Sequence, residues 1–267
     1  MERSRIYGAF ERVSRKWWFY VLVVMALGIP PYASTGVAPE QIASLVQEVL
    51  SQGLTAYSAL MPMLHIAVAA LVVLVGIYGN RVGRLFSAFM GLHYIFIAIA
   101  QNTAVTPTFG YAVISSNVLL FMVIGIMWLW DAAIGKTDYT LRGPHPWWTY
   151  WVLPLAVLAF WGPDVPWSFH LRYLVTSSSV GAFCLMTPIY LSVLNFCPRH
   201  NLRAVRLTSF VGILMAIFNF MIGLSLCIGG NASLGIYQVF IHLPLAALST
   251  YSFISSFRAG RARQPCS

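Results

Sequence analysis

The sequence predicts an all-α integral membrane protein of eight transmembrane helices, built as two parallel four-helix repeats with both termini cytoplasmic. Three observations predict it. Of 267 residues, 59% are hydrophobic and only 9% are charged. A soluble domain carries roughly 25% charged residues, so the chain has too little polar surface to coat a globule in water. Apolar runs approaching or exceeding the ~18–20 residues that span a bilayer as a helix recur at 17–35, 56–78, 84–104, 109–131, 147–163, 173–196, 206–229 and 235–257. Finally, paired landmarks recur in the same order along the chain. "RKWWFYVLVV" from Arg15 is echoed by "HPWWTYWVLP" from His145, "RVGRLFS" from Arg81 by "RAVRLTS" from Arg203, and "FGYAVISSN" from Phe109 by "LGIYQVFIH" from Leu234. Four spans per unit is an even number, so both units enter the membrane in the same direction, giving a parallel repeat.

The charge pattern sets the orientation. The formal net charge is +9 from 16 basic and 7 acidic residues. With eight spans and a cytoplasmic N-terminus, every basic residue except Arg172 falls on an inner segment. Basic bias on short cytoplasmic loops is the topology signal, so the excess charge marks the inner face and no nucleic-acid partner is expected. The implied organisation is a basic N-terminus (1–16), a first half (17–132), a cytoplasmic linker (133–146), a second half (147–257) and a basic tail (258–267), in a plasma or inner membrane.

The first run opens on Trp17 and Trp18, rings suited to the membrane interface. Its basic flank and the "PPYAS" that follows resemble a signal peptide. The matching pair Trp147 and Trp148 in mid-chain favours a retained helix. Residues 38–53 then place Ile42, Leu45, Val46, Val49 and Leu50 at helical spacing, with Pro39 in the first turn. They read as an amphipathic outer helix resting on lipid or on the bundle, with a lid over an outward cavity as the alternative. The second and third runs are joined by the short "YGNRVGR", making them neighbours. The third carries Gly83, Ser87 and Gly91 four apart, a face for close helix contact. After the fourth run, "DAAIGKTDYTLRGPHPWW" reads as a solvated linker. The outer loop "GPDVPWSFHLR" holds Asp164, His170 and Arg172, and the sixth run contains "SSS" at 177–179, a polar lining or serines bonded to their own backbone. Gly212, Asn219 and Gly223 share a face of the seventh run, and Pro62, Pro154, Pro188 and Pro244 would bend the helices that hold them.

Ionisable groups at membrane depth are costly and mark function by default. No Asp, Glu, Lys or Arg falls near the centre of a span; Asp131 sits at the inner end of the fourth. That argues against a carboxylate-driven ion pump and a voltage sensor, and leaves no lysine for a retinal Schiff base. Three histidines do fall within spans: His65, His93 and His242, with Asn117 and Asn219 near the midplane. Each suits interhelical hydrogen bonding of roughly 0.6–2 kcal/mol. Together these five side chains are the candidate lining of a pocket for a small, largely uncharged ligand, which needs a few convergent polar groups in an apolar wall. A second reading is a redox subunit with b-type haem ligated by two of His65, His93 and His242, although no cofactor is otherwise expected. A third is a structural or sensory subunit, in contact with partner subunits or a second copy. No HExxH, GxSxG or Walker loop is present, no metal site is expected, and four cysteines without a CxxC pair form no disulfide framework.

Overall fold

The computed structural model describes Val13 and residues 16–141 and 145–262, with backbone alone at 148 and 259–262. Most of the basic N-terminus, Arg142, Arg263 and Cys266 therefore lie outside the described residues, as does the side chain of Arg261. In chain order the elements are α1 (Trp17–Leu27), β1 (Tyr32–Ala33), α2 (Ile42–Gly53), α3 (Met61–Tyr78), α4 (Asn80–Ala100), β2 (Thr103–Thr106), β3 (Gly110–Val113), α5 (Ser115–Ile134), α6 (Val152–Trp161), α7 (Tyr173–Thr176), α8 (Phe183–Asn195), α9 (Leu202–Ile228) and α10 (Ala232–Ala262).

The chain is predominantly helical. Among the described residues, five helical stretches are long and apolar enough to cross a membrane: 39–78 (which joins α2 to α3), α4, α5, α9 and the part of α10 up to Arg258. A sixth is counted if α7 and α8 form one span, broken by a 101° bend. The first and fifth predicted spans are the exceptions. α1 and α6 are apolar but only 11 and 10 residues long, roughly 16 and 15 Å at 1.5 Å per residue, about half the hydrocarbon thickness.

One correction concerns the third and fourth spans. They were expected to run to 104 and from 109, but Thr103–Thr106 and Gly110–Val113 are strands. The reason is local. "TAVTPTFGYAV" alternates β-formers, and its turn needs a positive φ that Gly110 supplies at 63°. The Thr106 hydroxyl closes the turn by accepting from the Phe109 amide. β3 pairs antiparallel with both β2 and β1, in the order β1-β3-β2. The amphipathic helix α2 lies on this sheet. Leu45 and Val49 pack with Ala33, Phe109, Ala112 and Ile114 in a small core of their own. Its apolar face is thus covered by sheet rather than by lipid or a cavity.

The sheet marks one end of the bundle. At the opposite end, the chain leaving α5 turns at Gly135, a left-handed C-cap, and folds back. Tyr139 is buried there, against Gly83 of α4, where a Cβ would lie 2.5 Å from its ring. Asp138 accepts from Asn80 and Thr140. This part of the predicted linker is docked rather than solvated.

Close helix contacts run through small residues, as their spacing predicts. α4 and α5 cross at Gly91 and Gly125, where an added Cβ would meet the facing backbone at 2.7 Å. α9 and α10 cross at Gly212 against Ser249, and again at Gly223 against Gly235. α1 packs on α5, and α6 packs on α10. One apolar core runs through the bundle, including Phe86, Met90, Phe121, Trp128, Phe183 and Val211.

Candidate functional site

The α7–α8 break is built by sequence. Ser177 is extended at ψ 159°, a short 3-10 turn covers Ser178–Gly181, and Ala182 is extended again before α8 begins. Ser, Gly and extended backbone interrupt the helical ladder, leaving polar groups that must find partners elsewhere. α3 and α4 supply them.

His65 sits one turn into α3 and is 1% exposed. Its Nδ1 is 2.9 Å from the Met61 carbonyl. A carbonyl can only accept, so the proton is on Nδ1 and Nε2 is the acceptor. Nε2 lies 3.2 Å from the Ser179 hydroxyl and 3.3 Å from that of Ser177. Ser179 also donates to the Phe160 carbonyl at 2.8 Å, so Ser177 is the natural donor to the imidazole. Asp164 anchors the same segment by accepting from the Ser178 amide at 2.9 Å.

His93, 3% exposed, meets α8: its Nδ1 lies 2.6 Å from the Tyr190 hydroxyl. Nε2 is buried and has no hydrogen-bond partner among the described residues. Either group can donate in the bond to Tyr190, since a tyrosine hydroxyl both donates and accepts. Beside it, Tyr94 donates to Thr187 at 3.2 Å, and Gln101 accepts from the amide of Phe183, the first residue of α8, at 3.0 Å. Further along, Trp128 donates to Thr208 at 3.1 Å and Asn201 to Asp131 at 3.1 Å. Asp131 is 1% exposed and also accepts from Ser87 at 3.0 Å. The bonds made by His65 to the break serines and by His93, Tyr94, Gln101, Trp128 and Asn201 form a polar seam from the sheet end to the linker end, joining the α3–α5 side to the chain from the break through α9.

Of the five residues predicted to line a pocket, His65 and His93 converge on the break. Asn219 and His242 share a different patch: Asn219 accepts from Gln238 at 2.8 Å and donates to the Met215 carbonyl, while His242 bonds the Gln238 carbonyl at 2.7 Å. Asn117 is elsewhere again, donating to Asn102 at 2.9 Å where the sheet begins. The three groups do not meet in one site. Tyr190, Thr187 and Tyr94 carry no sequence motif, and sequence reasoning missed them. Thr187 and Tyr190 are three apart on one helix, facing the adjacent His93 and Tyr94.

The same geometry tests haem ligation. His65 has both ring nitrogens engaged, and its ring meets Phe160 edge-on at 5.0 Å. A Cβ on Gly181 would lie 2.6 Å from Leu54. Axial ligation through His65 and His93 would therefore require breaking these bonds and opening tightly packed wall, so these two residues do not fit the group as held here. A comparison with family models, curated proteins and solved structures finds no match for this chain.

Proposed function

We propose that this chain is an eight-pass membrane protein of two parallel four-helix units, with both termini cytoplasmic in a plasma or inner membrane. Its function on this reading is to bind, and carry across, a small, largely uncharged solute at the break between α7 and α8. The observation that carries the solute reading is the buried break itself, a 101° interruption flanked by two histidines. Discontinuous helices are where transporters turn backbone dipoles toward a substrate, and irregular backbone at membrane depth persists only inside protein or along a cavity. His93 Nε2, buried and without a hydrogen-bond partner among the described residues, offers a solute one polar contact that carries no fixed charge. Recurrent packing supports the duplication: α4 on α5 matches α9 on α10, and α1 on α5 matches α6 on α10. The alignment of Gly110 with Gly235 lends no support, because one lies in a strand and the other in a helix.

The test is a thermal-shift screen of the purified protein against neutral polyols, amides and sugars, repeated with His93→Phe and Tyr190→Phe. A solute that raises the melting temperature of the wild type, and much less that of either variant, supports the site. If no solute acts and both variants simply melt lower, the seam is structural and the transport reading fails. A reduced-minus-oxidised absorption spectrum of protein made in haem-supplied cells decides the redox alternative separately.

A further inference from the structure

Two adjoining clefts lie at the linker end of the bundle, where α3 ends, α4 begins and α5 ends. One, of about 470 Å³, is lined by Gly76, Ile77, Tyr78, Gly79, Asn80, Arg81, Thr140 and Leu141. The other, of about 230 Å³, is lined by Asn80, Gly83, Arg84, Gly135, Lys136, Thr137 and Asp138. Asn80 belongs to both. Because α4, α5 and the 39–78 stretch are long and apolar enough to cross a membrane and that stretch ends at Tyr78, a bilayer around the bundle would place the clefts where hydrocarbon gives way to water.

Their chemistry is one-sided. Arg81 and Arg84 stand in the first turn of α4, both exposed, and Lys136 joins them from beyond the α5 cap. The carboxylate nearby is Asp138, which is already occupied by Asn80 and Thr140. Among the described residues no carboxylate forms an ion pair with Arg81 or Arg84. The arginines at the matching place in "RAVRLTS" behave differently. Arg203 and Arg206 are each 4% exposed, and Arg206 donates to Ser256 and lies 4.3 Å over the Phe257 ring. The protein buries that second pair and leaves the first pair facing outward at the start of α4. The wall continuing from the larger cleft is apolar and exposed: Ile77 and Tyr78 are each 50% exposed, and Val73, further along α3, is 57%.

We infer that these clefts hold the phosphate of an anionic glycerophospholipid, with Arg81 and Arg84 on the headgroup and the acyl chains along Val73, Ile77 and Tyr78. Guanidinium groups bind phosphate oxygens through paired N–H donors, which an ammonium cannot do. Basic pockets at the inner ends of spanning helices are suited to such headgroups. The apolar wall selects a lipid over free phosphate, since inorganic phosphate gains nothing from it. The site is distinct from the α7–α8 break, so its fate is independent of the solute reading.

The experiment is native mass spectrometry of the full-length protein released from nanodiscs containing equal parts phosphatidylcholine and phosphatidylglycerol. The expected result is preferential retention of phosphatidylglycerol, reduced roughly fivefold by each of Arg81→Gln and Arg84→Gln. Arg172→Gln, at the sheet end, should leave it unchanged. Retention should also weaken as salt rises, because the contacts are electrostatic; that wild-type measurement holds even if a variant folds poorly. Equal retention of both lipids, or undiminished preference in the Arg81→Gln/Arg84→Gln double variant, would overturn the proposal. Displacement of the lipid by millimolar inorganic phosphate would overturn its lipid source in favour of a free anion.

Discussion

His65 shows how one side chain can hold a discontinuity shut. Its imidazole uses Nδ1 on its own helix and Nε2 on the serines of the break, so removing it strands Ser177 and leaves a void among Met61, Phe160 and Ser179. His65→Ala is expected to cost about 2–4 kcal/mol, combining an unpaired buried group with a cavity. Ser177→Ala should cost only about 1 kcal/mol. Thermal unfolding in detergent checks both, and equal small losses would mean that the break is held by something else. At the linker end, the bonds from Thr140 and Asn80 hold the Asp138 carboxyl below the ordinary carboxylate range. A depressed carboxyl contributes stability that is fully present above its unfolded value of about 3.9 and is lost as pH falls through the lower folded value. Stability should therefore drop more steeply below pH ~4 in the wild type than in Asp138→Asn, as read from melting temperature across an acid series.

Between elements, distance of approach decides the outcome. The α4–α5 crossing puts Gly91 and Gly125 backbone to backbone, and a Cβ at Gly91 would meet the Leu129 amide nitrogen at 2.7 Å. Backbone cannot yield as a flexible side chain can, so Gly91→Leu should separate the helices and cost at least the ~1–3 kcal/mol of ordinary overpacking. A loss below 0.5 kcal/mol, roughly a neutral surface change, would contradict the crossing. The α2–sheet layer makes a different prediction. Leu45 and Val49 are fully buried in its small core, so Leu45→Asp should expose the 32–60 region to protease while leaving the melting of the bundle nearly unchanged. The same two elements show what was legible in the sequence. Small residues four apart announced the contact face of α4 because glycine has one dominant use in such a helix. The strands did not announce themselves, because Thr103–Val113 carries no charged residue and its Ala, Val, Phe and Tyr blend into the apolar runs on either side. The alternating β-formers and the turn chemistry at Pro107 and Gly110 distinguish it. The histidines at the break could be picked out as buried ionisable groups, but Tyr190, the partner of His93, and the neighbouring Tyr94–Thr187 pair could not. Tyrosine and threonine in an apolar helix are common, and their significance comes from the facing helix. Asn117, Asn219 and His242 looked equally eligible because depth along a helix can be read from sequence whereas its rotation and neighbours cannot.

For the whole molecule, the sheet and the folded-back linker occupy opposite ends of the bundle. In a variant cleared of native cysteines, Thr108→Cys should react with an impermeant maleimide added outside intact cells, and Thr140→Cys only after permeabilisation. Reversed labelling would invert the proposed orientation, and labelling of both from one side would remove an odd number of passes. The shortness of α1 and α6 acts at this scale too. Each gives up roughly half the length of a full crossing, and each packs on the long terminal helix of its own side. The loop after α6 continues with Val165, Trp167, Phe169 and Leu171 exposed, so apolar groups reach beyond the end of the helix. On the membrane reading proposed above, lipids around such a flank would have to shorten or tilt to cover the protein, and the elastic cost, fractions of a kcal/mol per Å, would be carried by the bilayer. Acyl-chain length would then become a control variable for this protein: shorter-chain lipids would relax the strain at both flanks, and longer chains would press against the two sides of the bundle where its helices are shortest.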